Sequence, residues 1–136
     1  MGAQISIYSD PARENQIEMI ELAEVVAPEE FDDLLFSAPM PIYGRNTGDT
    51  HIRELQVHLK GDGIEQIQLA EDVEGEPGVW AQPGMPIWVT QQTVYRGDNF
   101  RFWARGVYGP EDAETDLQFS IVFKGLSTGV RIGSEN

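Results

Sequence analysis

The feature that most constrains the fold is a strict alternation of apolar and other side chains in residues 116–124. A period of two places every second side chain on the same face of a β-strand, whereas a helix would distribute these side chains around its circumference. The large apolar members of the alternation are Leu117, Phe119, Ile121 and Phe123. The segment therefore predicts a strand with one face in a core.

The same alternation recurs earlier in the chain. In residues 99–105, Phe100, Phe102 and Ala104 face one way, and the residues between them face the other. Residues 55–60 alternate similarly, the glycines of 61–63 then supply a turn, and 64–70 reads as the returning strand. Further strands are expected at 40–45, 85–90 and 130–132. Strands of this length predict an antiparallel sheet protein.

Clusters of glycine and proline separate these segments. They lie at 46–49, 75–78, 82–84 and 109–110, and their backbone preferences make them hard to place inside strands. About seven short strands with a turn every ~8–12 residues predict an all-β protein, a single antiparallel sandwich over residues 36–126. Residues 127–136 are expected to form a C-terminal tail. The core should contain Leu55, Val57, Leu59, Ile67, Leu69, Phe100, Phe102, Leu117, Phe119, Ile121 and Phe123.

The N-terminal residues 1–35 are expected to form an extended arm or an edge strand. Residues 1–15 carry little apolar surface, so they need a partner surface to become ordered. Residues 16–26 (QIEMIELAEVV) allow two interpretations: a strand with a bulge or a switch of face, or a helix with Met19, Leu22, Ala23 and Val26 on one side. We favour the strand, because isoleucine and valine suit a sheet and Pro28 ends the run early.

The charge of the chain excludes several classes of partner. There are 23 acidic and 9 basic side chains, giving a formal net charge of −14. Nucleic acids and anionic membranes require a basic surface, so neither is expected as a partner. The N-terminal residues do not show the basic-then-apolar pattern that predicts a secretory signal. No apolar stretch approaches the ~18 residues of a membrane-spanning helix. The absence of cysteine excludes disulfides and thiolate chemistry.

No catalytic or metal-binding constellation is apparent. His51 and His58 are an odd number of residues apart, which places them on opposite faces of a regular strand. None of the serines lies in a Gly-x-Ser-x-Gly turn. The acidic runs 72–76 and 111–116 could supply oxygen ligands to calcium, but neither has the pattern of a calcium-binding loop. We therefore expect a protein without enzymatic activity, cofactor or metal.

The aromatic side chains suggest a binding surface. The candidates for stacking against a sugar are Trp80, Trp88, Trp103, Tyr43, Tyr95 and Tyr108. The alternation places Trp103 opposite the core residues of its strand and between two arginines, a composition typical of protein contacts. Packing within the chain and a sugar platform remain the alternatives. The predicted protein-contact residues are Tyr8, Ile17, Met19, Arg101, Trp103 and Arg105.

Four segments in order carry a family resemblance: 41–47 (PIYGRNT), 54–59 (ELQVHL), 100–105 (FRFWAR) and 117–123. The series resembles the immunoglobulin-like sandwiches of accessory virion proteins in tailed bacteriophages. The resemblance implies a structural protein, such as a capsid decoration (cement) protein, made in the host cytoplasm and located on the capsid surface. It implies contact with the major capsid protein or another virion protein, and a homo-oligomer, with a trimer as one form. The alternative is a carbohydrate-binding or host-recognition module.

Overall fold

The protein is an all-β sandwich. A computed structural model describes residues 4–22, 35–61, 63–90, 93–108 and 117–131. These residues form eleven strands and one 3₁₀ turn (Ile64–Gln66), with no α-helix among them. The described part of the chain accordingly contains no helix that is long and apolar enough to cross a bilayer. The predicted fold class is confirmed.

All strand pairs are antiparallel and fall into two sheets. The strands are β1 (Ile5–Tyr8), β2 (Gln16–Ile17), β3 (Ile20–Leu22), β4 (Leu35–Phe36), β5 (Met40–Asn46), β6 (Thr50–Lys60), β7 (Ile67–Val73), β8 (Glu76–Trp80), β9 (Ile87–Trp88), β10 (Asn99–Tyr108) and β11 (Leu117–Arg131). The large sheet has the order β2-β1-β5-β10-β7-β8, with β4 also paired to β10, and the small sheet has the order β3-β11-β6-β9.

The core lies between the sheets and contains side chains that the alternation predicts, together with others that were not predicted, among them Ile20, Ile42 and Tyr108. Leu55, Val57, Ile67, Leu69, Phe102 and Phe119 are buried. The remaining predicted members are partly buried and pack against them: Leu59, Phe100, Ile121 and Phe123. The side chain of Leu117 lies outside the described part. The two faces of β10 differ as expected, since Phe102 and Ala104 are fully buried while the alternate side chains Arg101, Trp103 and Arg105 are partly exposed.

The N-terminal segment contributes to both sheets. β1 lies between β2 and β5 in the large sheet, and β3 pairs with β11 in the small sheet. The chain therefore changes sheet between Ile17 and Ile20, which confirms a strand with a switch of face over 16–22; residues 23–26 lie outside the described residues. The partner surface expected for the arm is present within the chain, because residues 5–8 pair with β5.

Three expectations about the elements were wrong. Residues 64–70 were expected to return beside 55–60, but residues 64–66 form a 3₁₀ turn and β7 pairs with β10 and β8 in the other sheet. Pro77 and Gly78 were assigned to a turn, yet both lie in β8. β8 is an edge strand of the large sheet, and an edge tolerates proline because one side of the strand has no ladder partner. β11 continues to Arg131, so the sandwich extends past residue 126 into the predicted tail.

A bulge in β6 overturns the expectation for the histidines. Glu54 adopts a left-handed backbone conformation (φ 54°), and the register with β11 shifts between Lys124 and Leu126. The extra residue reverses the alternation, so that His51 and His58 point to the same, outer face. Seven residues of strand still separate them by about 23 Å along β6, which is too far to share a metal ion.

Candidate functional site

The outer face of the large sheet collects arginine and aromatic side chains. Residues directly opposite each other in an antiparallel pair project to the same side, so the register defines the face. We call this surface the arginine face: Arg13, Arg45, Arg101, Arg105, Tyr43, Trp80 and Trp103. Among the described strand residues that the register places on this side, Asp72 is the only acid. This is a cationic surface on a chain of net charge −14.

The Asp72 carboxylate organises one half of the arginine face. It accepts hydrogen bonds from Arg101 Nε and from Trp103 Nε1, each at 2.9 Å, and forms the ion pair with Arg101. Burial of the Asp72 carboxyl opposes ionisation, but the hydrogen bonds from Trp103 and Arg101 outweigh it and lower its pKa. The hydrogen bond from Arg101 to Asp72 raises the pKa of that guanidinium in turn. The indole of Trp103 is therefore fixed in one orientation.

Arg105 is held between two aromatic rings. Its guanidinium carbon lies 4.0 Å from the ring centroid of Phe36 and 4.4 Å from that of Trp80. Its Nε donates to Gln68 Oε1 at 2.8 Å, and Gln68 in turn donates to the carbonyl of Ala81. Burial lowers the pKa of Arg105, which remains charged at neutral pH. No carboxylate pairs with this guanidinium among the residues that the structure describes.

The turn after β1 places a third guanidinium on the face. Arg13 has a left-handed backbone conformation (φ 59°), and its side chain donates to the carbonyls of Gly44 and Phe100 at 3.1 and 2.9 Å. It also lies over the ring of Tyr43, at 5.5 Å from the centroid. Burial lowers the pKa of Arg13, and the nearby charges of Arg45 and Arg101 lower it further. Several guanidinium groups are thus close enough to repel one another.

The predicted contact residues are not all brought together. Arg101, Trp103 and Arg105 lie side by side on β10, and Tyr8, opposite Tyr43, lies on the same face but is 9% exposed. Ile17 points to the other side and packs against the core. Met19 is 55% exposed in the connection between the sheets, away from the arginine face. A role in protein contact stays a prediction for all six.

The aromatic side chains considered for sugar stacking are dispersed. Trp80, Trp103 and Tyr43 belong to the arginine face, Trp88 lies in the small sheet and Tyr108 is fully buried. Sugar platforms require ring faces open to the ligand. Here Arg105 covers a face of Trp80, and Arg13 covers a face of Tyr43. These two ring faces contact guanidinium groups and are therefore not open to a sugar.

In the acidic run 72–76, which could have bound calcium, Asp72 is engaged in other contacts. Asp72 gives its oxygens to Arg101, Trp103 and the backbone of Gly75. In the described part of the chain, no three histidine, aspartate or glutamate side chains cluster as metal ligands do. The acidic run 111–116 lies outside the described residues.

One cleft opens along the seam between the two sheets. It has a volume of about 350 Å³ and is lined largely by apolar side chains, including Ile5, Ile52, Leu55 and Phe123. Lys124 is the charged group at its wall. No acid and base lie at hydrogen-bond distance from each other within this lining, so the cleft has no feature that marks it as a candidate catalytic site.

Sequence reasoning considered Asp72 only as a possible calcium ligand, and it missed Gln68 and Phe36. The first two of these residues occupy alternate positions of β7, so a correct face assignment for that strand would have placed both beside Arg101 and Arg105. Phe36 lies in a two-residue strand, which shows no periodicity. Its contact with Arg105 comes from the pairing of β4 with β10.

Comparison with known proteins brings no relative. No family model matches the chain, no curated protein matches it, and no solved structure matches it. The class that the geometry defines is a β-sandwich with an arginine- and aromatic-rich outer face.

Proposed function

We propose that this protein is a non-enzymatic structural protein of a tailed-phage virion, a capsid decoration protein with an immunoglobulin-like sandwich. In this proposal it resides on the capsid surface and contacts the major capsid protein, as a homo-oligomer of which a trimer is one form. The arginine face is the contact surface. The observation that supports the proposal is the arrangement around Arg105 and Trp103, two partly exposed residues held in fixed positions.

Arginine, tryptophan and tyrosine dominate the energetics of protein interfaces. Binding is costly when long side chains must be immobilised, by about 0.5–1.5 kcal/mol for each. On this face Asp72 already holds Arg101 and Trp103, and two rings already hold Arg105. The surface is therefore preorganised for contact. On a capsid lattice many copies bind at once, so each contact can be weak.

The test is sedimentation of the purified protein with shells assembled from the major capsid protein of the genome that encodes it. We expect co-sedimentation of the wild type and at least a tenfold loss of occupancy for Trp103→Ala. Trp88→Ala, on the small sheet, is the matched control and should bind as the wild type does. Circular dichroism of each variant separates loss of contact from loss of fold. A wild type that stays in the supernatant would overturn the proposal.

The carbohydrate-binding alternative requires open aromatic faces. The guanidinium groups of Arg105 and Arg13 occupy faces of Trp80 and Tyr43, which favours a protein partner over a neutral glycan. Glycan-array binding that is lost in Trp103→Ala would favour the alternative instead.

A further inference from the structure

We infer that the arginine face binds an extended, carboxylate-rich polypeptide segment of its partner. The inference rests on the proposed function and names the chemistry of the partner surface. It starts from the contrast between this face and the whole chain: four of the nine cationic side chains lie here, with Asp72 as the only acid among the described strand residues of this side. The excess positive charge is local.

Among the residues that the structure describes, only one of the four guanidinium groups has a carboxylate partner. Arg101 pairs with Asp72, whereas Arg13 donates to backbone carbonyls, Arg45 donates to the side-chain oxygen of Asn99 at 2.8 Å, and Arg105 donates to Gln68. Within the described residues these three have neutral acceptors only. Arginine presents five donors, and its planar fork matches a carboxylate in a bidentate arrangement. Toward the described part of the chain these groups keep donors that no carboxylate takes, and in the inferred complex the carboxylates of the partner take them.

The spacing of the guanidinium groups that have only neutral acceptors among the described residues fits an extended peptide. Arg45 lies opposite Asn99, at one end of β10, and Arg105 lies six residues further along that strand. At about 3.4 Å per residue, this separates the two cationic positions by roughly 20 Å. An extended segment of about six residues spans that distance. Trp103 lies between the two ends, where it can contact the apolar part of the segment.

A long anionic polymer fits less well. Glu14 and Glu18 are exposed in the turns beside β2, and Glu74 and Glu76 are exposed at the β8 edge. A nucleic acid carries phosphates continuously and would meet these carboxylates once it passed the limits of the face. A short acidic segment can end before them. At 0.15 M salt the Debye length is ≈ 8 Å, so the distant acids of the chain repel it only weakly.

The experiment is fluorescence titration of the full-length protein with a deca-glutamate peptide at 0.15 M salt, followed through the tryptophans of the face. We expect saturable binding, and affinity at least about tenfold lower for a tetra-glutamate peptide, which reaches one cationic end only. The double variant R45Q/R105Q should lose about tenfold or more in affinity. The charge-matched control K60Q/K124Q, on the small sheet, should change it less than twofold.

The other outcomes separate the inference from its alternatives and from the proposed function. Equal losses in the two double variants would mean that net charge alone attracts the peptide. Tighter binding of an oligogalacturonate or of a single-stranded oligonucleotide would replace the acidic peptide with an anionic glycan or nucleic acid. Absence of peptide binding, with shell co-sedimentation intact, would overturn the partner chemistry and leave the proposed function standing. Peptide binding without shell co-sedimentation would overturn the proposed function and leave the affinity of the face for acidic peptides standing. Unchanged thermal melting of R45Q/R105Q excludes misfolding as the cause of a loss.

Discussion

The two outer faces of the sandwich arise from the same alternation but are organised differently. On the large sheet, the guanidinium groups are fixed by hydrogen bonds and by rings. On the small sheet, Trp88, Val122 and Leu126 are 43%, 39% and 51% exposed, and Lys60 and Lys124 are exposed beside them. Both faces carry cations and aromatic or aliphatic groups. The comparison teaches that composition alone does not hold side chains in place; hydrogen bonds and ring contacts do, and they lower the cost of immobilising these side chains on binding.

The largest loss of unfolding free energy should come from truncating a core phenylalanine, and it should be similar in both sheets. The difference between the two sheets then lies in their outer faces and not in the core. Phe102 of the large sheet and Phe119 of the small sheet are 0% and 1% exposed. We expect Phe102→Ala and Phe119→Ala each to lower the free energy of unfolding by about 3–5 kcal/mol, because each leaves a cavity between the sheets. Urea denaturation measures this. A loss below 1 kcal/mol in either variant would contradict the assigned core.

The outer faces should differ most at their tryptophans. Trp103→Ala removes a half-buried ring and its hydrogen bond to Asp72, and should cost about 2 kcal/mol in unfolding free energy. Trp88→Ala should cost less than about 1 kcal/mol, since Trp88 is 43% exposed. Chemical denaturation compares the two directly, and Trp103→Phe separates the ring from the hydrogen bond. Equal losses of unfolding free energy in Trp103→Ala and Trp88→Ala would contradict the inferred difference between the two outer faces.

Acid should selectively weaken the network on the large sheet. The pKa of Asp72 is lower in the folded protein than its ordinary value, because hydrogen bonds from Trp103 and Arg101 outweigh burial. Its stabilising contribution is therefore present above about pH 4 and is lost as the pH falls through the folded pKa. We expect Asp72→Asn to cost about 1 kcal/mol at pH 7, with the difference from wild type shrinking at lower pH.

The matched control for this titration is Glu54→Gln, an exposed position on β6, which should change the unfolding free energy by less than about 0.5 kcal/mol. Urea denaturation at pH 7 and at pH 3 measures both variants. A constant difference between Asp72→Asn and wild type across this range would show that the Asp72 charge does not stabilise the fold.

The smallest effect should come from exchanging the two kinds of cation. Arg105→Lys keeps the charge but loses the planar group that stacks between Phe36 and Trp80, at a cost of about 0.5–1 kcal/mol. The reverse exchange on the small sheet, Lys124→Arg, should be neutral within about 0.5 kcal/mol. Thermal melting resolves such differences as shifts of a few degrees. If Arg105→Lys leaves the unfolding free energy unchanged, the stacking of the guanidinium group adds no stability beyond that of the positive charge.

The strands could be predicted where the pattern is local. The alternation in residues 99–105 and 117–123 depends only on neighbouring residues, and it identified the inward side chains of β10 and β11. Short strands such as β1 and β4 escaped, because two to four residues carry no readable period and their pairing is with distant parts of the chain. The bulge in β6 could not be predicted either, because its left-handed residue is Glu54 and not a glycine.

The candidate face could be predicted only in part, for the same reason. Arg101, Trp103 and Arg105 share one strand, so their proximity follows from the period of two. Their partners come from elsewhere: Asp72 and Gln68 from β7, and Phe36 from β4. These contacts depend on strand order and register, which are properties of the assembled sandwich.

The two ends of the described chain direct a pulling force into different sheets. β1 lies between β2 and β5, so an anchor attached ahead of Ile5 loads the large sheet first and the small sheet only afterwards, through β3. An anchor attached after Arg131 loads β11, which is paired with β3 and β6, and therefore reaches the small sheet directly. Force measurements from the two ends therefore probe the strength of different sheets.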